Sequence, residues 1–259
     1  MEHGSLSSRS AWRLSTFLVP PGALEARAVT LEGPEHRHAF GASRVAPGDE
    51  VRLIDGEGAE VLALVESSTR TGATLAVVER RGYSRDDGAR LTIAQAVPKG
   101  RGMDEVVRRC AELGVEAVLP LTTSRTIVRL RDTSVHARLE RWRSVARAAT
   151  KQSRGVFVTG VLEPTPASGL EPLVREADLA LVAWEEERVL SLKDALRRVP
   201  ARRLLAVVGP EGGLSEEEVS SLRDWGALPV SLGRRVLRSD WAAAGLAAVV
   251  SHELGGLLP

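Results

Sequence analysis

The stretch from Leu204 to Glu218 constrains the fold of this chain more than any other. Leu204-Leu205-Ala206-Val207-Val208 is a short, unbroken apolar run, the pattern of a parallel strand covered on both faces. Gly209-Pro210-Glu211-Gly212-Gly213 then supplies a tight turn, and Ser215 with Glu218 predicts a capping box at a helix start. A second unit follows closely: Pro229-Val230-Ser231-Leu232-Gly233, an arginine-bearing segment to Asp240, and an alanine-rich helix. Two such turns gather many backbone N–H and C=O groups around one small space, which suits a polar, planar ligand such as an adenosine moiety. The first turn is no P-loop, since no Gly-Lys-Ser/Thr follows it. Its glycines do not fit G-x-G-x-x-G, so a nicotinamide oxidoreductase is disfavoured.

Around that stretch the chain divides by rhythm. Residues 1–15 read as a loose polar arm. Over residues 16–84, short strand patterns at Phe17–Val19, Ala28–Leu31, Glu50–Ile54, Glu60–Val65 and Thr74–Val78 alternate with turn signals such as Pro47-Gly48-Asp49. That predicts a small β-barrel, with one short helix over His36–Ser43 and a polar linker over Gly82–Gly88. Over residues 85–259 the rhythm becomes strand then helix. Strands are expected at Leu91–Val97, Val115–Leu121, Val156–Val161 and Leu179–Trp184. Met103, Val106, Val107, Cys110 and Ala111 share one helical face, as do Leu139, Trp142, Ala146 and Ala149. Further helices are expected near Ser191–Val199 and over Trp241–Leu254. Alternating βα units predict an α/β fold with a mainly parallel sheet and helices on both faces.

The formal net charge of +1 hides an uneven distribution. Residues 1–88 carry 10 basic against 13 acidic side chains, whereas Lys99 to Arg154 holds 13 basic and 6 acidic, a stripe compatible with a phosphate-bearing partner. Cys110 is the only cysteine, which excludes disulfides within the chain and a cysteine-based zinc cluster. The five histidines have no metalloprotease spacing, so no metal is expected. No long apolar run or secretory signal is seen, which predicts a soluble, cytoplasmic protein with no membrane partner. Aromatic content of 3% argues against a sheet that stacks several RNA bases.

Several motifs in fixed order carry a family resemblance. They are His38…Arg44…Gly48-Asp49, Gln95-Ala96…Lys99, Glu112-Leu113-Gly114-Val115, Arg141-Trp142, Gln152-Ser153-Arg154, Val208 to Gly213, and Leu232-Gly233 with Arg235-Val236-Leu237-Arg238. Together they resemble the RsmE family of SPOUT methyltransferases, which methylate N3 of a uridine in 16S rRNA of the small ribosomal subunit. The resemblance implies a PUA-like barrel followed by an α/β domain with a C-terminal trefoil knot, S-adenosylmethionine held in the knot, and a homodimer. It places the cofactor on three loops: Leu181, Val182 and Ala183; Gly209, Pro210, Glu211, Gly212 and Gly213; and Ser231, Leu232, Gly233, Val236 and Leu237. The glycines are expected where a Cβ would obstruct the adenosine or forbid the backbone angles.

Uridine N3 carries a proton at neutral pH, so the site has to remove it or stabilise the anion. Arg238 is the candidate for stabilising charge on the uracil oxygens, and Asp240 for orienting Arg238, accepting the proton through water, or capping the following helix. Arg44, Lys99, Arg101, Arg125, Lys151 and Arg154 are the cationic candidates for RNA phosphates. The chain departs from the family where Ser239-Asp240-Trp241 replaces Thr-Glu-Thr and where Arg109 replaces a lysine. Those changes leave room for a different RNA target, or for a noncatalytic RNA-binding protein of the same fold.

Overall fold

The computed structural model describes residues 14–128, 132–198 and 200–257, so the arm expected over 1–15 lies almost wholly outside the described residues. The chain forms two compact units, Met1–Ser84 and Arg85–Pro259.

In the first unit, β1 (Thr16–Leu18), β2 (Ala28–Glu32), β3 (Glu50–Ile54), β4 (Ala59–Ser68) and β5 (Gly72–Gly82) form one sheet in the order β1-β3-β4-β5-β2. The β1–β3 pair is parallel and the others antiparallel. Val61, Ala63 and Val65 alternate inward on β4 and pack with Phe17, Leu31, Leu53 and Leu75. β4 and β5 run longer than the alternation predicts. The turn between them is closed by the Thr69 amide on the Gly72 carbonyl at 2.8 Å, and two register shifts let the hairpin bend. The helix expected over His36–Ser43 divides into α1 (Gly33–Arg37) and a π-helical turn over His38–Ala42.

The second unit is an α/β fold. Its strands are β6 (Arg90–Ala96), β7 (Ala117–Thr122), β8 (Gly160–Val161), β9 (Thr165–Pro166), β10 (Leu179–Ala183), β11 (Arg203–Val208) and β12 (Leu228–Val230). They pair only in parallel, in the order β12-β10-β11-β6-β7-β8, with β9 beside β7. The helices are α2 (Gly102–Glu112), α3 (Asp132–Ser153), α4 (Glu171–Glu176), α5 (Leu192–Leu196), α6 (Glu216–Asp224) and α7 (Ser239–Glu253). The apolar run of β11 is divided between two cores. Leu204, Ala206 and Val208 join the core that takes in Met103, Leu139, Ala195 and Leu246, from α2, α3, α5 and α7. Leu205 and Val207 join the core holding Val174 from α4 and Val219 and Leu222 from α6. An unbroken apolar strand is what burial on both faces demands.

Val156–Val161 was expected as a full strand, but only Gly160 and Val161 pair with β7. At this sheet edge Thr159 donates its hydroxyl to the Val115 carbonyl at 2.7 Å, and Phe157 is buried, so side-chain anchoring replaces a regular ladder. Cys110 and Trp142 are core residues, as their helical positions suggested.

Candidate active site

A cavity of about 320 Å³ opens beyond the carboxyl ends of β10, β11 and β12. Ligands of open parallel sheets bind at this end, where strand carbonyls finish and helices begin. Three segments form the wall: Ala183 to Glu185 with Arg188, Val208 to Glu211 with Gly213, and Ser231 to Ser239, with Ala242 behind them.

The middle segment is a β-turn closed by the Gly213 amide on the Pro210 carbonyl at 2.9 Å. The capping box follows as the sequence predicted: Glu218 N–H donates to Ser215 Oγ at 3.2 Å, and Ser215 N–H to Glu218 Oε2 at 2.9 Å. Two other loops dock on this turn. The Lys99 amide donates to Glu211 Oε1 at 2.9 Å, Arg125 Nη1 to the Gly212 carbonyl at 2.8 Å, and the Ser124 amide to Glu218 Oε1 at 2.7 Å.

The glycines differ in why they are glycine. Gly213 has φ +71°, and a Cβ there would lie 2.1 Å from Glu185 Oε1, so its bare Cα admits the Glu185 carboxylate. A Cβ on Gly209 would meet the Gly213 carbonyl carbon and the Leu214 nitrogen at 3.0 Å each. Gly212 fits neither reason: its φ is not positive, it does not line the cavity, and a Cβ would touch only the Arg125 side chain at 3.6 Å.

The first segment is stiffened from below. Glu187 accepts the amides of Val189 and Leu190 at 2.7 and 3.1 Å, which holds its carboxyl below the usual carboxylate range. Arg223 on α6 lies 5.0 Å from the centre of the Trp184 ring and 3.6 Å from Glu187 Oε2. In the third segment, Gly233 has φ +119° and donates its amide to Ser231 Oγ at 3.3 Å. Ser231 also takes up the start of α5, accepting the Leu192 amide at 3.2 Å.

Arg238 and Asp240 come together at the start of α7. The Arg238 side chain is 80% exposed, and its Nε stands 3.2 Å from Asp240 Oδ1. Asp240 is buried, and its Oδ2 lies 3.5 Å from Arg109 Nη1. The Arg109 guanidinium in turn covers the Trp241 ring at 4.4 Å from its centre. Arg238 occupies the N-cap position of α7, so Asp240 is inside the first turn and does not cap the helix. Arg109, one expected departure from the family pattern, contacts both Asp240 and Trp241 of the other, the Ser239-Asp240-Trp241 segment. The longer Arg109 reaches the shorter Asp240 and rests on Trp241.

Among the residues expected on the cofactor loops, the fold brings Ala183, Gly209, Pro210, Glu211, Gly213, Ser231, Leu232, Gly233, Val236 and Leu237 to the cavity wall. It does not bring Leu181 or Val182, which are fully buried in β10 with one side chain in each core. The wall instead continues to Trp184, Glu185 and Arg188, and takes in Val208, Arg234, Arg235, Ser239 and Ala242. The signal for the first group lies in the sequence: the apolar run ends at Trp184-Glu185-Glu186-Glu187, and ligand-facing residues lie beyond a strand's carboxyl end. Of the cationic candidates, Lys99 and Arg125 contact the turn, while Arg101 is exposed at the start of α2 and Arg44 is exposed in the first unit with φ +53°. Lys151 lies in the last turn of α3, and Arg154 follows that helix with φ +66°.

Residues 86–251 match the family model described as RNA methyltransferase domain. The ribosomal RNA small subunit methyltransferase E of Mycobacterium bovis is 33% identical over 217 residues, 83% of this chain and 82% of that protein. This chain belongs to the RsmE family of RNA methyltransferases. The Bacillus subtilis protein of the same name is 27% identical over 234 residues, covering 88% of this chain and 91% of its own. Among solved structures, the RsmE enzyme of Neisseria gonorrhoeae bound to S-adenosyl methionine superposes with a TM-score of 0.78 at 25% identity, over 93% of this chain and 98% of that one. No helix among the described residues is long and apolar enough to cross a membrane. Among the same residues no group of three or more histidine, cysteine or acidic side chains is placed to hold a metal ion.

Proposed function

We propose that this protein transfers the methyl group of S-adenosylmethionine to N3 of a uridine in 16S rRNA of the small ribosomal subunit. The observation that carries the reading is the cavity itself. One wall is the glycine turn at Gly209–Gly213, and another presents Arg238, so a methyl donor and a negatively developing acceptor have adjoining places. The residues fit the cofactor: the volume suits a small molecule, and the segments that follow β10, β11 and β12 line the space together, with Gly209, Gly213 and Gly233 among them. S-adenosylmethionine supplies an electrophilic methyl group on a sulfonium.

The chain's own task is to receive the uracil and manage its charge. Asp240 engages Arg238 through Nε, which leaves the outer guanidinium nitrogens to donate to a uracil oxygen as negative charge grows there. Asp240 itself stands between the Arg109 and Arg238 guanidinium groups, which suits it to orienting Arg238. Because Arg109, Asp240 and Trp241 form one mutually supporting contact, their departure from the family pattern favours a retained reaction over a lost one.

The finer architecture belongs to the same reading. Residues 16–84 act as a PUA-like RNA-binding barrel and residues 85–259 as a SPOUT domain. Residues 231–239 line one cavity together with the 183–185 and 208–213 segments, and in a member of this family that convergence supports a trefoil knot at this point. Trp241, Ala248 and Val249 share an exposed face of α7, next to exposed Val236 and Leu237, and such an apolar face supports a homodimer. Arg44, Lys99, Arg101, Arg125, Lys151 and Arg154 supply phosphate contacts, and the enzyme works in the cytoplasm, where its substrate is assembled.

The test is transfer of label from methyl-tritiated S-adenosylmethionine into 30S subunits from a strain lacking the modification. Label mapped to N3-methyluridine in 16S rRNA is expected. Label confined to another nucleoside or another RNA, or no label at all, refutes the assignment.

A further inference from the structure

Gln95 is fully buried at the carboxyl end of β6, in register with Val208, and belongs to neither of the cores around it. Its Nε2 donates to Ser239 Oγ at 2.7 Å and to the Ala96 carbonyl at 2.8 Å, and lies 3.4 Å from the Gly209 carbonyl. Ser239 Oγ donates to the Gly209 carbonyl at 2.6 Å. The direction of this relay is set by its ends. A carbonyl only accepts, so the serine proton goes to Gly209, and the serine oxygen has to accept from the Gln95 amide. Turning the amide over would set Oε1 against two carbonyl oxygens, so its orientation follows as well. Gln95 Oε1 has no hydrogen-bond partner among the described residues. An amide buried with one end unpaired destabilises a core that an apolar side chain would fill better. Its place is therefore explained by what its donor end holds.

What it holds is a joint between two walls of the cavity. Gly209 opens the turn, and Ser239 is the residue between Arg238 and Asp240. We infer that Gln95 and Ser239 are positioning residues that couple the Gly209 turn to Arg238, so that a cofactor seated on the turn settles the arginine that receives the target base. This rests on the methyltransferase reading above. Neither residue touches the reacting atoms in this account; both act through Gly209 and Arg238. Rates depend steeply on such placement, and misplacement by about 1 Å can lower turnover by about a hundredfold.

The amides of Trp241 and Ala242 report on the joint, since both donate to the Arg238 carbonyl, at 2.9 and 2.8 Å. Hydrogen exchange is followed with and without S-adenosylmethionine in the wild-type protein, Ser239→Ala, Ser239→Thr and Gln95→Leu. Turnover on 30S subunits and cofactor titration by calorimetry are measured on the same samples. In the wild type, cofactor should slow exchange at Gly213 and Leu214 and also at Trp241 and Ala242. In Ser239→Ala the first effect should persist and the second disappear. Turnover should fall at least tenfold, with cofactor affinity and KM for the subunit within threefold of wild type. Ser239→Thr, which keeps the hydroxyl, should restore turnover to within threefold. Gln95→Leu should repeat the Ser239→Ala pattern, and it keeps the test alive if one variant folds poorly. Unchanged turnover in both variants, or cofactor protection of Trp241 and Ala242 that survives loss of the hydroxyl, overturns the coupling. A wild-type protein that neither binds S-adenosylmethionine nor transfers label overturns the methyltransferase reading, and the coupling with it.

Discussion

Alanine substitution at Gly209, Gly212 and Gly213 should give three different results from one five-residue turn. Gly213 has φ +71°, a region where a side chain costs about 1–2 kcal/mol. Its new Cβ would also lie 2.1 Å from Glu185 Oε1, the end of a flexible side chain that has to leave its place in the cavity wall. Gly213→Ala should therefore lower stability by about 1–2 kcal/mol, or about 2–8 °C in Tm for a chain of this size. Gly209 has no positive φ, but its Cβ would meet two backbone atoms of the turn at 3.0 Å, so the turn has to open by a few tenths of an ångström. The loss should then fall on binding, with S-adenosylmethionine affinity reduced about tenfold or more, equivalent to roughly 1.4 kcal/mol. Gly212→Ala meets only the Arg125 side chain at an ordinary 3.6 Å and should change either quantity by less than about 0.5 kcal/mol. Scanning calorimetry and isothermal titration on the three variants measure both numbers. If Gly212→Ala weakens cofactor binding as much as Gly209→Ala, the steric account of the turn is wrong.

Other expectations rest on single groups. Arg238→Ala should lower kcat by about a hundredfold or more while S-adenosylmethionine affinity stays within threefold, the signature of charge stabilised mainly during reaction; near-normal turnover in a single-turnover assay would remove Arg238 from the chemistry. Burial pushes the Cys110 thiol up to about 12 from an ordinary 9.0, so the native thiol should resist a disulfide reagent at pH 8 and react only on unfolding. Between about pH 9 and 12 the unfolded chain releases this proton and the native one keeps it, so stability falls as pH rises, by at most about 1.4 kcal/mol per unit. Denaturant titrations should show that extra slope in the wild type and not in Cys110→Ala; parallel pH profiles would contradict it.

The Arg109–Asp240–Trp241 contact shows how local reading and tertiary structure divide the work. Each of those residues differs from the resembled pattern, and along the chain Arg109 and Asp240 are 131 positions apart. Only packing of α7 on α2 makes them one unit, in which a longer cation meets a shorter acid over an aromatic ring. The same holds for Gln95 and Ser239, 144 positions apart, whose hydrogen bond lies where β6 and the start of α7 meet behind the Gly209 turn. No periodicity or turn signal encodes a contact of that kind.

What the sequence determined alone was everything that depends on neighbours along the chain. Leu204–Val208 had to be a strand buried on both faces, because no polar face was available to turn toward water. Ser215 and Glu218 had to start a helix, because their side chains satisfy amides that a helix leaves unpaired. The glycines had to mark a turn, and the order of such elements specified an α/β sheet. Which residues face the cavity was decided by tertiary structure. Leu181 and Val182 lie in a strand that the sequence predicts, and the resemblance also places them at the cofactor, yet the parallel ladder to β11 and β12 runs through them and turns their side chains into the two cores. Trp184, Glu185 and Arg188 reach the wall only because the strand ends before them. Gly212 looks like its neighbours in sequence and differs from them in space, because the β-turn directs its missing side chain toward Arg125 and away from the cavity. Strand direction and turn geometry are set by hydrogen bonds to segments far along the chain, and those bonds exist only once the sheet is assembled.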